Sequence, residues 1–117
     1  MTSQNRQLLA QYARRALDLL HRRLSQGPIA IPQIQESIVA QLEWLTDFGE
    51  GRNEERSRLF DLNFGGYLAK EETCLEDSGE LAGAIHQAFY AASIYALGLR
   101  IDSFMPPNIS LERSRES

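Results

Sequence analysis

Apolar side chains recur every three to four residues along most of the chain, and this spacing limits the fold more than any other feature. Residues with that period lie on one side of an α-helix. No segment shows the sustained alternation of apolar and polar residues that is typical of a half-buried β-strand. The sequence therefore predicts an all-α protein. Its short Gly-containing loops predict that neighbouring helices run antiparallel.

The first two helices have clear ends. The first follows an N-cap at Thr2 or Ser3 and ends before Gly27-Pro28, and the second opens near Pro32 and ends at Gly49 to Gly51. Both carry an apolar stripe along one side. They are predicted to pack against each other as an antiparallel pair.

Two further helices complete the expected fold. The third is predicted to start after a cap at Asn53 and to contain the doublet Gly65-Gly66, which either kinks the helix or allows close packing. The fourth follows Asp77, which stands three residues before Glu80 in the spacing of a capping box. We therefore expect a small antiparallel bundle of four main helices over residues 1–102, followed by an extended or disordered tail over residues 103–117.

The charges are distributed unevenly along the chain, whose net charge is -4. Residues 1–26 carry five arginines and one aspartate, whereas residues 33–80 carry twelve acidic and four basic side chains. The acidic middle cancels the basic helix, so nucleic-acid binding is not expected. The arginines are interpreted as a solvated face that pairs with acids elsewhere. The acidic stretch either steers a basic protein partner or serves solubility.

Composition argues against several locations and chemistries. No run is long and apolar enough to cross a membrane, and the N-terminus lacks the pattern of a secretory signal. The single Cys74 fits a reducing cytoplasm. Only His21 and His86 could serve as imidazole bases, and no metal-ligand spacing is present. The sequence therefore predicts neither enzymatic activity, nor a metal, nor a cofactor.

The fourth helix carries a second face outside its apolar stripe. His86, Tyr90, Ser93 and Leu97 follow one another at helical spacing on this side. A mixture of this kind suits a protein contact, because tyrosine brings a large area and loses little entropy on binding. Alternatively, this face packs against the tail or the second helix.

Three segments resemble a known family. They are LNFGGYLAKEE at Leu62–Glu72, EDSGELAGAIHQAFYAA at Glu76–Ala92 and GLRID at Gly98–Asp102. Together they are similar to small helical immunity proteins of bacterial type VI secretion, in particular those that resemble the immunity protein against an NAD(P)-glycohydrolase effector. The resemblance implies a non-enzymatic protein that binds a cognate toxin and occludes its active site.

The family resemblance and the acidic turn, which carries Glu71, Glu72, Glu76 and Asp77, together suggest which residues bind the toxin. Carboxylates could mimic the phosphates of a dinucleotide in a basic cleft, and two side chains of the fourth helix could act as anchors. The candidate toxin-binding residues are Glu71, Glu72, Glu76, Asp77, Glu80, His86 and Tyr90. The alternative function is that of a helical adaptor or regulator that binds another cytoplasmic protein. The oligomeric state is left open.

Overall fold

Helices account for all regular secondary structure in the described part of the chain. The computed structural model describes residues 3–75 and 79–105. In order, its elements are α1 (Gln4–Leu24), α2 (Pro32–Gly49), a 3₁₀ helix (Arg56–Asp61), α3 (Phe64–Ala69), α4 (Glu80–Ala96) and α5 (Ile101–Phe104). The predicted all-α class and the small antiparallel bundle are confirmed.

Helix α1 lies at the centre of the bundle and packs against both α2 and α4. It begins as predicted, because the Ser3 hydroxyl accepts a hydrogen bond from the Arg6 amide at 3.1 Å. Its buried face includes Ala10, and a Cβ on Gly49 of α2 would lie 2.7 Å from the Ala10 Cα. The two helices therefore touch backbone to backbone at this point.

The third predicted helix is divided into the 3₁₀ helix and α3. Leu62 has an extended backbone (φ -70°, ψ 134°) and separates the two. The side-chain oxygen of Gln41 on α2 accepts hydrogen bonds from the amides of Asn63 and Phe64, at 2.8 and 3.1 Å. A residue of another helix thus caps α3, and the break precedes the glycine doublet instead of falling at it.

Helix α4 begins later than the capping-box pattern predicts. Its N-cap is Gly79, so Glu80 is the first helical residue, whereas a capping box would place it third. Asp77, the predicted cap, lies outside the described residues. Helix α4 is rich in buried alanines, which allows close approach to α1.

One further helical turn, α5, crosses the predicted domain boundary at residue 102. Asn5 on α1 accepts a hydrogen bond from the Ile101 amide at 2.8 Å and donates one to the Leu99 carbonyl at 3.1 Å. Ile101 and Met105 are buried against the core. Within residues 3–75 and 79–105, no helix has the length and hydropathy needed to cross a membrane.

Candidate functional site

Four of the five arginines of α1 bond to other groups of the protein. Three of them form ion pairs with carboxylates of other elements, namely Arg6–Glu54 at 3.1 Å, Arg15–Glu80 at 3.2 Å and Arg14–Glu50. The Arg6 guanidinium also donates to the Phe48 carbonyl at 2.7 Å and lies 4.1 Å from the centre of the Phe48 ring. The pairing with acids elsewhere is thus confirmed for three of the five arginines, but the expected solvated face is wrong for Arg6 and Arg15, whose side chains are only 14% and 15% exposed.

Acidic side chains outnumber basic ones among the exposed charges of α2, the 3₁₀ helix, α3 and the residues next to them that form no ion pair in the described ranges; the basic ones are Arg56, Arg58 and Lys70. Six exposed carboxylates there take part in none of the ion pairs found among residues 3–75 and 79–105. They are Glu36, Glu43, Glu55, Asp61, Glu71 and Glu72. This surface therefore favours a basic partner over an acidic one.

Glu71 terminates α3 in an unusual backbone conformation. Its φ is 58°, and it is the only residue other than glycine with positive φ in the described ranges. Its amide donates to the Leu68 carbonyl at 3.1 Å, and the Glu72 amide donates to the Tyr67 carbonyl at 2.8 Å. These two bonds are the Schellman pattern that usually places glycine at this position. Glu71 therefore has an intramolecular role as well as an exposed carboxylate.

The other predicted acidic residues differ in their surroundings. Glu72 is exposed beside Glu71, whereas Glu80 pairs with Arg15 and joins the start of α4 to the middle of α1. Glu76 and Asp77 lie outside the described residues. Two of the five predicted carboxylates are thus exposed together at the end of α3, and a third is engaged within the fold.

The second face of α4 is exposed along its whole length. His86, Tyr90, Ser93 and Leu97, which we call the outer stripe, are all accessible, with Tyr90 51% and Leu97 71% exposed. At 100° per residue the stripe lies almost opposite the buried alanine face that meets α1. Neither α1 nor α2 covers it, so the expected alternative of packing against the second helix is wrong; the predicted tail lies outside the described residues from position 106 onwards. The structure therefore brings the predicted anchors His86 and Tyr90 onto one open surface.

An apolar groove adjoins the outer stripe between α4 and the 3₁₀ helix. Its volume is about 270 Å³, and Phe60, which is 68% exposed, and Leu97 both line it. The other apolar lining residues are Leu59, Leu62, Phe89, Ala92 and Ala96. We call this feature the apolar groove. It extends the outer stripe into a larger exposed apolar surface at the C-terminal end of α4.

Tight packing holds Phe89, which lines the groove, in place. The Phe89 and Phe64 rings meet edge to face, with centroids 5.1 Å apart. Gly65 lies directly against Phe89, because a Cβ at Gly65 would be 2.6 Å from its Cδ2 atom, whereas a Cβ at Gly66 would meet nothing within 4 Å. Of the two predicted interpretations of the glycine doublet, a kink or close packing, close packing is therefore confirmed. Only Gly65 takes part in that packing.

The 3₁₀ helix is tied to α4 by Arg56. Its guanidinium donates to the Tyr95 carbonyl at 3.1 Å and lies 4.9 Å from the centre of the Tyr95 ring. Leu59 is buried beneath the same segment. These contacts fix the position of Phe60. Helical spacing counts Phe60 among the apolar residues of the third predicted helix, but the segment is a 3₁₀ helix and its ring is exposed.

The side chains that could serve in catalysis or metal binding do not form a cluster in the described part of the chain. The Cys74 sulfur lies 3.8 Å from the Pro28 carbonyl oxygen and 3.8 Å from a nitrogen of Arg23, and it makes no contact with the exposed His86. Among residues 3–75 and 79–105, no three His, Cys, Asp or Glu side chains are close enough together to hold a metal ion.

The fold and the exposed surface define a small helical protein with a candidate surface for contact with another protein. A model of the Tsi6 family matches residues 8–94, so the chain belongs to that family of type VI secretion immunity proteins. The resemblance inferred from the sequence is thereby confirmed at the level of the family. Searches of curated proteins and of solved structures found no significant match.

Proposed function

We propose that the protein binds a cognate secreted toxin in the cytoplasm and covers the toxin's active site. The observation that carries this proposal is the open outer stripe of α4, found in a chain that belongs to a family of immunity proteins. Occlusion needs no catalytic group of its own. It requires only a surface that fits the toxin more tightly than the substrate does.

Protection from a few toxin molecules requires a stable complex. A dissociation constant near 1 nM corresponds to about -12 kcal/mol. An interface of roughly 1,600 Å² with a few buried anchors supplies such an energy. Tyr90 is well suited as an anchor, because its ring is half exposed and its hydroxyl can reach a polar group of the partner. His86 lies one turn before Tyr90 on the same stripe.

The acidic residues are proposed to steer the toxin and to imitate its substrate. Carboxylates at Glu71 and Glu72, together with Glu76, Asp77 and Glu80, would occupy positions that substrate phosphates take in a basic cleft. A toxin that degrades NAD(P) fits this idea, since a dinucleotide carries adjacent phosphates. Arg15 neutralises part of the Glu80 charge, so Glu71 and Glu72 are the stronger candidates.

Co-expression with the product of the adjacent upstream gene tests the proposed function. We expect that product to stop growth when expressed alone, and this protein to restore growth and to copurify with it. A fall in cellular NAD(P) in unprotected cells would identify the toxin's chemistry. Absence of both toxicity and a complex would contradict the proposal and favour a helical adaptor with another protein partner.

Substrate mimicry has its own test in binding kinetics. Glu71→Gln with Glu72→Gln should lower the association rate on the order of tenfold at low salt and change the dissociation rate little. The matched control is Glu36→Gln with Glu43→Gln, which removes two exposed carboxylates from α2. Equal rates for the two double variants would contradict a specific role of the acidic turn.

A further inference from the structure

We propose that a second copy of this chain docks on a cavity between α2 and the 3₁₀ helix, and that Arg58 and Asp61 of each copy pair with Asp61 and Arg58 of the other. We call this feature the Trp44 cavity. Its volume is about 320 Å³, and its lining includes Ser37, Gln41, Trp44, Arg58, Asp61 and Leu62. The inference goes beyond the proposed function and does not depend on it, because no residue of the outer stripe lines this cavity.

Arg58 and Asp61 stand on the same side of the 3₁₀ helix. Such a helix has three residues per turn, so side chains at positions i and i+3 are aligned along its axis. Both residues are exposed and both line the Trp44 cavity. Within residues 3–75 and 79–105, their charged groups form no ion pair, either with each other or with another residue. The cavity therefore presents one base and one acid side by side, each available to a partner.

The Arg58 guanidinium lies over the ring of Trp44. Its central carbon is 5.4 Å from the ring centre, and the ring in turn stacks on Phe48, with centroids 5.2 Å apart. A guanidinium that stacks on an aromatic face keeps the N–H groups at its edge available to a carboxylate. Tryptophan and arginine are also the residue types that are enriched at binding hot spots. This stacked pair therefore suits the centre of a protein contact.

Gln41 fixes the two walls of the Trp44 cavity to each other. Its side-chain nitrogen donates to the Ser37 hydroxyl at 2.9 Å and to the Asn63 side-chain oxygen at 2.6 Å. These bonds add to the two amide bonds through which Gln41 caps α3. The cavity is thus already formed in the single chain and loses little conformational entropy on binding.

A second copy supplies both complementary charges by symmetry. In a two-fold contact, residue i of one copy meets residue j of the other, and j meets i. Arg58 then meets Asp61 of the second copy, while Asp61 meets Arg58 of the second copy. An unrelated partner would need an acid and a base of its own at the matching spacing. Because exposed ion pairs are individually weak, we expect a dimer with a dissociation constant in the micromolar range.

Charge reversal tests the inference through the oligomeric state, measured by analytical ultracentrifugation at micromolar to submillimolar concentrations. Arg58→Asp leaves two acids at each cavity and Asp61→Arg leaves two bases. Each variant alone should raise the dissociation constant of the dimer at least about tenfold, because like charges then meet. An equimolar mixture of the two variants should restore the dimer as a heterodimer, since every acid of one variant meets a base of the other.

The matched controls reverse exposed charges elsewhere. Arg22→Asp on α1 and Glu36→Arg on α2 should leave the dissociation constant unchanged, because neither residue lines the cavity. Trp44 is the only tryptophan of the chain, so its fluorescence reports on the cavity in the unaltered protein. On dilution, the emission should shift to longer wavelength over the range in which the dimer dissociates. All the altered residues are exposed, so thermal unfolding should be unchanged and shows that the variants fold.

The outcomes either support the inference or overturn it. A wild type that is monomeric up to submillimolar concentration overturns it. A dimer that withstands both reversals uses another surface, which also overturns it. If the reversals leave the oligomeric state unchanged but weaken copurification with the product of the adjacent upstream gene, the occupant is the toxin and the inference is wrong. Failure of the proposed function would leave this test unaffected, since the experiment needs only this chain.

Discussion

Replacement of Gly65 by alanine tests the packing that supports the groove. A Cβ at this position would lie 2.6 Å from Cδ2 and 2.7 Å from Cγ of Phe89. Carbon atoms in contact are usually 3.5–4.0 Å apart, so the ring must move by about 1 Å. The ring cannot move freely, because it packs edge to face on the buried Phe64.

Two opposing contributions determine how much Gly65→Ala changes the free energy of unfolding. Alanine is better than glycine in a helix by about 1 kcal/mol. Against this stand an overpacking cost of about 1–3 kcal/mol and the loss of an aromatic pair that contributes about 0.5–1.5 kcal/mol. We therefore expect Gly65→Ala to lower the free energy of unfolding by about 0.5–3.5 kcal/mol. Gly66→Ala, which meets no atom within 4 Å, should raise it by up to about 1 kcal/mol.

Urea denaturation followed by circular dichroism measures both changes. With a slope of about 1.5 kcal/mol per molar urea, Gly65→Ala should lower the midpoint by about 0.3–2.3 M, and Gly66→Ala should leave it equal or higher. The pair is well matched, since the same substitution is made at neighbouring positions of α3. A Gly65→Ala variant as stable as Gly66→Ala would refute the argument that α3 and α4 require glycine at their contact.

Three further predictions concern other elements of the fold. Gly49→Ala should lower the free energy of unfolding by about 3 kcal/mol in the same urea assay, because its Cβ would meet the Ala10 backbone, which cannot rotate away. Glu71→Gly should raise that free energy by about 0.5–1 kcal/mol, since glycine adopts positive φ without strain; an equal or lower midpoint would contradict this. Burial raises the pKa of Tyr12 above its ordinary value of 10.0, so the folded state holds this proton more tightly than the unfolded state does. Stability should therefore fall as the pH rises above about 10, and Tyr12→Phe, compared with the wild type over the same pH range, should show a smaller fall.

Local sequence signals account for the parts of the fold that were predicted correctly. The N-cap Ser3, the Gly27-Pro28 ending and Pro32 at the start of α2 act within a few residues of their own helix. The helix ends that these residues cause can therefore be predicted from the neighbouring sequence alone. The third segment differs, because its break depends on Gln41, which belongs to another helix and caps α3 from more than twenty residues away.

The candidate surface for protein contact was also predicted from the sequence only in part. Helical spacing alone predicted that His86, Tyr90, Ser93 and Leu97 share a side of α4, and the motifs of the chain indicated its family. Tertiary structure alone decided that this side is open, that Phe60 joins it, and that Glu80 pairs with Arg15. The physical reason for this difference is that the spacing of residues on a face and the capping of an end are properties of a single helix. Exposure and ion pairing depend on which elements pack against that helix.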